Sequence, residues 1–334
     1  MIRSVPAMGT IVTIEALAPD GEAGARFERA FDWIRHVEAT CTRFEPDSEA
    51  MRLTARAGTP VAASDILFEA VRFAVAVAEA SGGAFDPTVG QLLQARGFNR
   101  HYRTGLAIPP ASLPASPPSY RDIRVDPASR SITLLQPLTL DLGAVAKGLA
   151  IDLAVRELAP LEDFAIDAGG DLYLGGRGRG GQPWRVGIRH PREDGILRQL
   201  TVSDAAVCTS GDYERPAPAA ADGHHLIDAR NGACARLVTS ATVVAPTAMV
   251  ADALATAAFV LGPLDGIAFL EDQGVEGLIV SASLEQHATR GFETTFAGPA
   301  VLRHAEGHAD PSAGTARRAR RRERRPPADR ARTA

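Results

Sequence analysis

Two polar side chains sit four residues apart in a stretch that is otherwise apolar. In APTAMVADALATAAFVLG (245–262), Asp252 and Thr256 share one face if the stretch is helical. A carboxylate among alanines needs a partner, because a charge removed from water without one is costly. A hard cation such as Mg2+ is one partner, taking carboxylate, hydroxyl and carbonyl oxygens. A cap or salt bridge for Asp252, with Thr256 bonded back to the carbonyl of residue 252, is the other reading. A second group lies in CTSGDYER (208–215) and HHLIDARNG (224–232). His225 near Asp228 fits a general base, and equally a hydrogen-bonded structural histidine.

The third feature is Lys147, the only lysine among 36 Lys+Arg, in DLGAVAKGLAID (141–152). A strand ending at Asp141, a glycine turn and a helix from about Ala144 to Leu158 would aim backbone N–H groups at an anion. A cation in the first helical turn is mildly disfavoured by the helix dipole, and an anion in front of it would offset that. A solvated surface lysine is the alternative. GGAFDPTVG (82–90) sets Asp86 and Thr88 beside a glycine pair, as a phosphate-cradling loop or an ordinary helix stop. The glycine pair of DAGGDLYLGG (167–176) implies backbone packed against a ligand or another strand.

Elements must position these groups. Alternation predicts a strand at 9–17, and helical spacing of Phe27, Phe31, Ile34 and Val37 predicts a helix over 21–43. Ser64 caps an expected helix at 64–81, which Gly82-Gly83 ends. A Pro- and Ser-rich loop (104–119), a hairpin about Asp126-Pro127 (122–135) and a strand LTLDLG precede the Lys147 helix. Strands then follow in DFAIDAGGDLYLGG, WRVGIRHP, RQLTVSD, AAVCTSG and SATVVAP, then helices at 247–261 and 264–273, then strands VEGLIVSA and FETTFA. Such runs predict a mixed α+β fold with largely antiparallel sheets and packed helices, not a doubly wound sheet.

Bulk properties bound the function. A length of 334 residues, 45% hydrophobic and 23% charged, is that of a chain with a substantial core. The net charge is −4, yet residues 315–334 hold nine Arg against Glu323 and Asp329. The chain is thus an acidic domain (1–300) with a basic extension (301–334) that has too few apolar residues to fold. A solvated tail, or an electrostatic contact with nucleic acid or anionic lipid, fits the extension; the acidic domain argues against specific nucleic-acid binding. Cys41, Cys208 and Cys234 lack metal or disulfide spacing. The opening MIRSVPAMGTIVTIEAL has no signal-like apolar core and no lipid-attachment cysteine, and no stretch is apolar enough for a transmembrane helix. A cytoplasmic location is expected.

Taken in order, nine stretches over about residues 7–297 resemble the ApbE flavin transferases. They are AMGTIVTIEA, TRFEPDSEAMRL, GGAFDPTVGQLL, LDLGAVAKGLAID, AGGDLYLGG, WRVGIRHP, CTSGDYER, HHLIDARNG and SATVVAPTAMVADALATAAFVLG. The resemblance implies an α+β fold that binds FAD and Mg2+ and moves FMN onto a threonine hydroxyl of an acceptor protein, releasing AMP. By motif position it implies FAD contacts at Met8, Phe44, Ala84, Phe85, Asp86, Asp141, Lys147 and Leu226. It implies metal contacts at Ala144, Asp252 and Thr256, and a catalytic role for His225. FAD hydrolysis to FMN and AMP, or flavin binding without turnover, are the alternatives. The chain departs from the family pattern at Asp228-Ala229, where Asp-Pro is usual, at RNGACA, and at Arg96, where an aromatic is common. The segment VTSAT (238–242) has a faint likeness to an acceptor motif, which raises self-modification as an expectation to test.

Overall fold

A computed structural model of the chain describes residues 1–18, 20–108, 116–215, 223–292 and 295–297. The basic extension and the middle of the Pro- and Ser-rich stretch lie outside the described residues. In chain order, β1 (Ile2–Ala7) and β2 (Thr10–Ala16) lead into α1 (Asp20–Cys41) and α2 (Glu49–Thr54). β3 (Val61–Ala62), α3 (Asp65–Ala80), α4 (Gly90–Ala95), β4 (Ile123–Asp126) and β5 (Ser131–Leu134) follow. Then come α5 (Gly143–Leu158), β6 (Phe164–Ala168), β7 (Asp171–Gly175), β8 (Trp184–Arg189), β9 (Ile196–Ser203) and β10 (Ala205–Gly211). β11 (Ile227–Asp228), β12 (Ala233–Cys234), β13 (Val238–Ala245), α6 (Ala248–Leu261), α7 (Pro263–Asp272), β14 (Glu276–Ser281), β15 (Gln286–Ala288) and β16 (Thr295–Ala297) complete it.

The fold is mixed α+β, as expected. Eight strands form one antiparallel sheet in the order β1-β2-β6-β7-β10-β13-β14-β15. Helices α1, α5 and α6 pack together over one face, burying Phe27, Phe31, Ile34, Leu149, Ile151 and Phe259 with the sheet. On the other face a small sheet, β16-β9-β8, closes a second cluster of Val186, Ile188, Leu200 and Val202 over Leu174, Val207 and Leu278. Covered on both sides, β13 is buried along its whole length. That placement corrects the self-modification reading: Thr239, Ser240 and Thr242 are each 1% exposed, and Thr209 and Thr242 bond to one another at 2.8 Å. Among the described residues, no helix is long and apolar enough to cross a membrane.

Several expectations shift. β1 is an additional edge strand; Pro6 interrupts its pattern, and an edge tolerates proline. LTLDLG forms no ladder and leads into α5 at Gly143; Leu138, Thr139, Leu140 and Leu142 are buried, while Asp141 N–H donates to Pro87 O. α2 and α4, six residues each, are too short to show a clear period. The Gly169-Gly170 pair packs against a strand: a Cβ at Gly169 would overlap Thr10 of β2.

The close crossing of α5 and α6 depends on Gly148. A Cβ there would overlap Met249 Cα and Ala248 O. Asp152, one turn further along α5, accepts from Ala248 N at 2.7 Å and Met249 N at 3.0 Å, so it caps the start of α6 from a neighbouring helix. Gly148→Ala should therefore destabilise the fold by about 1–3 kcal/mol through overpacking, although alanine gains ~1 kcal/mol in helix propensity. Urea unfolding measures this; a midpoint equal to or above that of the parent would show that the helices can separate without cost.

Candidate active site

The α5–α6 crossing brings the lysine to the metal-type carboxylate. Lys147 is the fifth residue of α5, just past the first turn, where the dipole's penalty fades. Its ammonium pairs with Asp171 and lies 3.6 Å from Asp252 Oδ2. Both carboxylates are almost wholly buried, at 3% and 4% exposure. Asp171, the first residue of β7, was absent from the sequence-derived set.

Asp252 and Thr256 do share a face of α6. Thr256 Oγ1 bonds to Ser210 Oγ of β10 at 3.0 Å, not back to its own helix. Asp252 Oδ2 is buried and has no hydrogen-bond partner. Burial pushes the Asp252 carboxyl above its ordinary range, opposed by the charges of Lys147 and Arg215. An orphaned carboxylate oxygen beside a hydroxyl is a donor set that fits a hard divalent cation. No group of three His, Cys, Asp or Glu side chains suited to a metal occurs among the described residues, so one carboxylate would carry the site. That suits Mg2+, which keeps waters and takes substrate phosphate oxygens to complete its octahedron. Ala144 lies three residues before Lys147 on α5, on the same side of the helix.

A second buried cation organises the flanking groups. Arg43 Nε donates to Asp141 Oδ2 at 2.7 Å, its Nη2 donates to Phe98 O at 2.7 Å, and its guanidinium lies 4.3 Å from the Phe44 ring centroid. Burial opposes charge on Asp141, yet Arg43 prevails and holds that carboxyl below its ordinary range. Asp141 Oδ1 meanwhile accepts from Gly143 N at 3.0 Å, tying the start of α5. Met8 stands in the β1–β2 turn with φ 53°, followed by Gly9 at φ 77°. Positive φ at both central positions makes a tight hairpin turn that a methionine rarely enters. Glu38 holds it there, accepting from Met8 N at 2.8 Å and from Tyr102 Oη at 2.7 Å.

The 82–90 loop spends its own donors. Gly83, Ala84, Phe85 and Thr88 N–H groups bond to Ala78 O, Ser81 O, Ser81 Oγ and Asp86 Oδ1. Asp86 Oδ2 accepts from Tyr120 N at 2.8 Å. The phosphate-cradle reading therefore fails for these amides; the loop is a rigid helix stop. It borders a cavity of about 120 Å³ lined by Thr88, Val89, Gln91, Pro118 and Ala229 among others, which joins it to the histidine-bearing segment. The larger surface cavity, of about 560 Å³ between α2 and β3, touches none of the candidate residues.

His224 and His225 divide their roles. His224 Nε2 bonds to Ala235 O at 2.8 Å and its Nδ1 accepts from Leu226 N at 3.2 Å, so it is structural. Leu226 also accepts from Ala235 N, which leaves its backbone engaged in the turn. His225 has only a long contact of 3.4 Å from Nδ1 to Arg215 O, and its ring lies edge-on to Phe98. Burial, then the Arg215 charge, pushes its pKa down to about 3, so the ring is neutral at physiological pH. Asp228 is not its partner: Arg230 and Asn231 occupy that carboxylate. Arg215 is a further residue of the site, for its charge also reaches Asp141 and Asp252. Arg96 bonds to Gly232 O and to Cys234 Sγ, pinning the turn that lacks the usual proline after Asp228.

A sequence profile described as the ApbE family matches residues 8–279. A curated relative, "FAD:protein FMN transferase" of Treponema pallidum, is 32% identical over 321 residues, covering 87% of each chain. The protein of that name from Vibrio cholerae is 28% identical, covering 87% of this chain and 91% of its own. Among solved structures, the ApbE protein of Thermotoga maritima superposes with a TM-score of 0.76 at 28% identity, covering 87% of this chain and 97% of that one. Flavin transferase ApbE from Vibrio cholerae gives 0.75 at 25% identity with the same coverage. With the profile spanning most of its length and the fold shared from end to end of these relatives, this chain belongs to the ApbE family.

Proposed function

We propose that the chain transfers FMN from FAD to a threonine hydroxyl of an acceptor protein, with Mg2+ as cofactor and AMP as leaving product. The observation that carries this reading is the buried, unpartnered Asp252 Oδ2 facing the chain's only lysine. Such a pair is costly unless a cation and an anionic substrate complete it. FAD supplies the anion as its pyrophosphate, and the relatives' printed name supplies the reaction class.

Asp252 and Thr256, with the Ala144 carbonyl, would hold the Mg2+, which when bound neutralises pyrophosphate oxygens and orients them. Lys147 faces the same phosphates and stabilises charge that builds on them. Met8 and Phe44 bracket the flavin side, with Arg43 fixing Phe44 beside Asp141. On the adenine side, Ala84, Phe85 and Asp86 offer backbone carbonyls, since their amides or side chains are engaged; the Leu226 carbonyl, already accepting from Ala235 N, adds a contact through its second lone pair. The acceptor threonine oxygen attacks the FMN-side phosphorus. The bond from that phosphorus to the bridging oxygen breaks, and AMP departs with that oxygen. The hydroxyl proton passes to His225 Nε2, which has no hydrogen bond among the described residues. Positioning and electrostatics carry most of such a transfer.

Purified protein, FAD, Mg2+ and a flavin-accepting domain should yield AMP and an acceptor heavier by one FMN. AMP without that mass shift would assign the site to hydrolysis, and neither product would refute both. Asp252→Ala should lower the rate at least about 100-fold and remove its Mg2+ dependence; an unchanged metal-dependent rate would displace the metal from α6. For His225 the sign of the pH effect is fixed. Its pKa is depressed from about 6.5 to about 3, so the neutral base is present at every pH above about 3. The profile of kcat/KM for FAD should have no acid limb near 6.5 due to this residue, while His225→Asn should cost about 10²–10⁴-fold in rate. A limb near 6.5 that vanishes in the variant would contradict the neutral placement.

A further inference from the structure

Lys147 stands between two buried carboxylates but treats them unequally. It contacts Asp171, while Asp252 Oδ2, 3.6 Å from the ammonium, goes without a hydrogen bond. A lysine has a flexible four-carbon stem and three donors, so nothing in its own chemistry keeps it from closing that gap. The restraint comes from Asp171. This residue is paired with Ala168 across the turn at Gly169-Gly170, whose φ values are 71° and 97°, and its carboxylate is 3% exposed. It is thus an anchor on the sheet for a cation carried by a flexible stem on α5.

We propose that Asp171 is a positioning residue that draws Lys147 out of hydrogen-bond reach of Asp252, keeping Oδ2 free to ligate the divalent cation. The proposal rests on the metal-binding reading given above. Its physical content is competition. Without Asp171, Lys147 has Asp252 as its nearest buried carboxylate and closes the 3.6 Å gap to a hydrogen-bonded ion pair. The ammonium then occupies the oxygen that the metal needs. With Asp171 in place, the ammonium is held on the sheet side, and Asp252 Oδ2, which also feels the Arg215 charge, keeps a lone pair for the metal.

Competition has a signature that simple loss of a nearby negative charge lacks: it requires Lys147. The full chain, with FAD present, is titrated with Mn2+ and binding is read by electron paramagnetic resonance, with Asp252→Ala as the reference for non-site binding. Asp171→Asn should weaken Mn2+ binding about tenfold or more, within the range for residues that orient metal ligands. In a Lys147→Met background the same substitution should have little effect, so the two changes are strongly non-additive. Equal loss in both backgrounds would overturn the proposal and leave Asp171 as a remote charge. Wild-type binding no tighter than that of Asp252→Ala would overturn both this proposal and the metal assignment. Far-ultraviolet circular dichroism and urea midpoints identify a misfolded variant; should Asp171→Asn not fold, Asp171→Ser in the two backgrounds gives the same cycle.

Discussion

The molecule is organised around a charge problem: two buried carboxylates flank one partly buried ammonium, with the Arg215 charge also reaching Asp252. Removing such groups from water costs several kcal/mol per ion, and geometry must recover it. Here the geometry is a helix crossing. Gly148, next in chain to Lys147, lets α5 and α6 approach backbone to backbone, so that Lys147 and Asp252 meet. Asp152 fixes the same crossing by capping α6 from α5. The alanine-rich flanks of α6 are buried on nearly every side, which leaves Asp252 no route to water except through the pocket. The sheet completes the arrangement by fixing Asp171 at a hairpin start and Ser210 at the end of β10.

A second, separable network orders the flavin-side residues. Arg43 joins α1's exit to the entry of α5 through Asp141 and to the segment after α4 through Phe98 O, while lying over Phe44. Glu38, earlier on α1, performs the matching task for the β1–β2 turn and Tyr102. One side chain on α1 and one just past its end thus place residues from three distant parts of the chain: the β1–β2 turn, the segment 98–102 and the entry to α5. Arg96 adds a local link. Its guanidinium ties Gly232 and Cys234, in the histidine-bearing segment, to the end of α4.

What could be read from the sequence follows from how local each signal is. The Ser64 cap was legible because its partner, Leu67 N, is three residues away. The shared face of Asp252 and Thr256 was legible because the helical period dictates it. Asp171 and Arg43 were not, since their partners lie 24 and 98 residues distant and no period links them. Asp228 looked like the partner of His225 by proximity in sequence, but a turn with Arg230 claimed it. LTLDLG alternates in sequence like a strand, but it is buried at Thr139 as well as at its leucines, has no ladder, and turns into α5 at Leu142-Gly143.

The scarcity of lysine has a practical side. A reagent specific for lysine amines meets one such side chain in this sequence, Lys147. Lys147 is sheltered between two acids, its side chain 20% exposed. Acylation mapped by peptide mass therefore reads the occupancy of the pocket at a single atom.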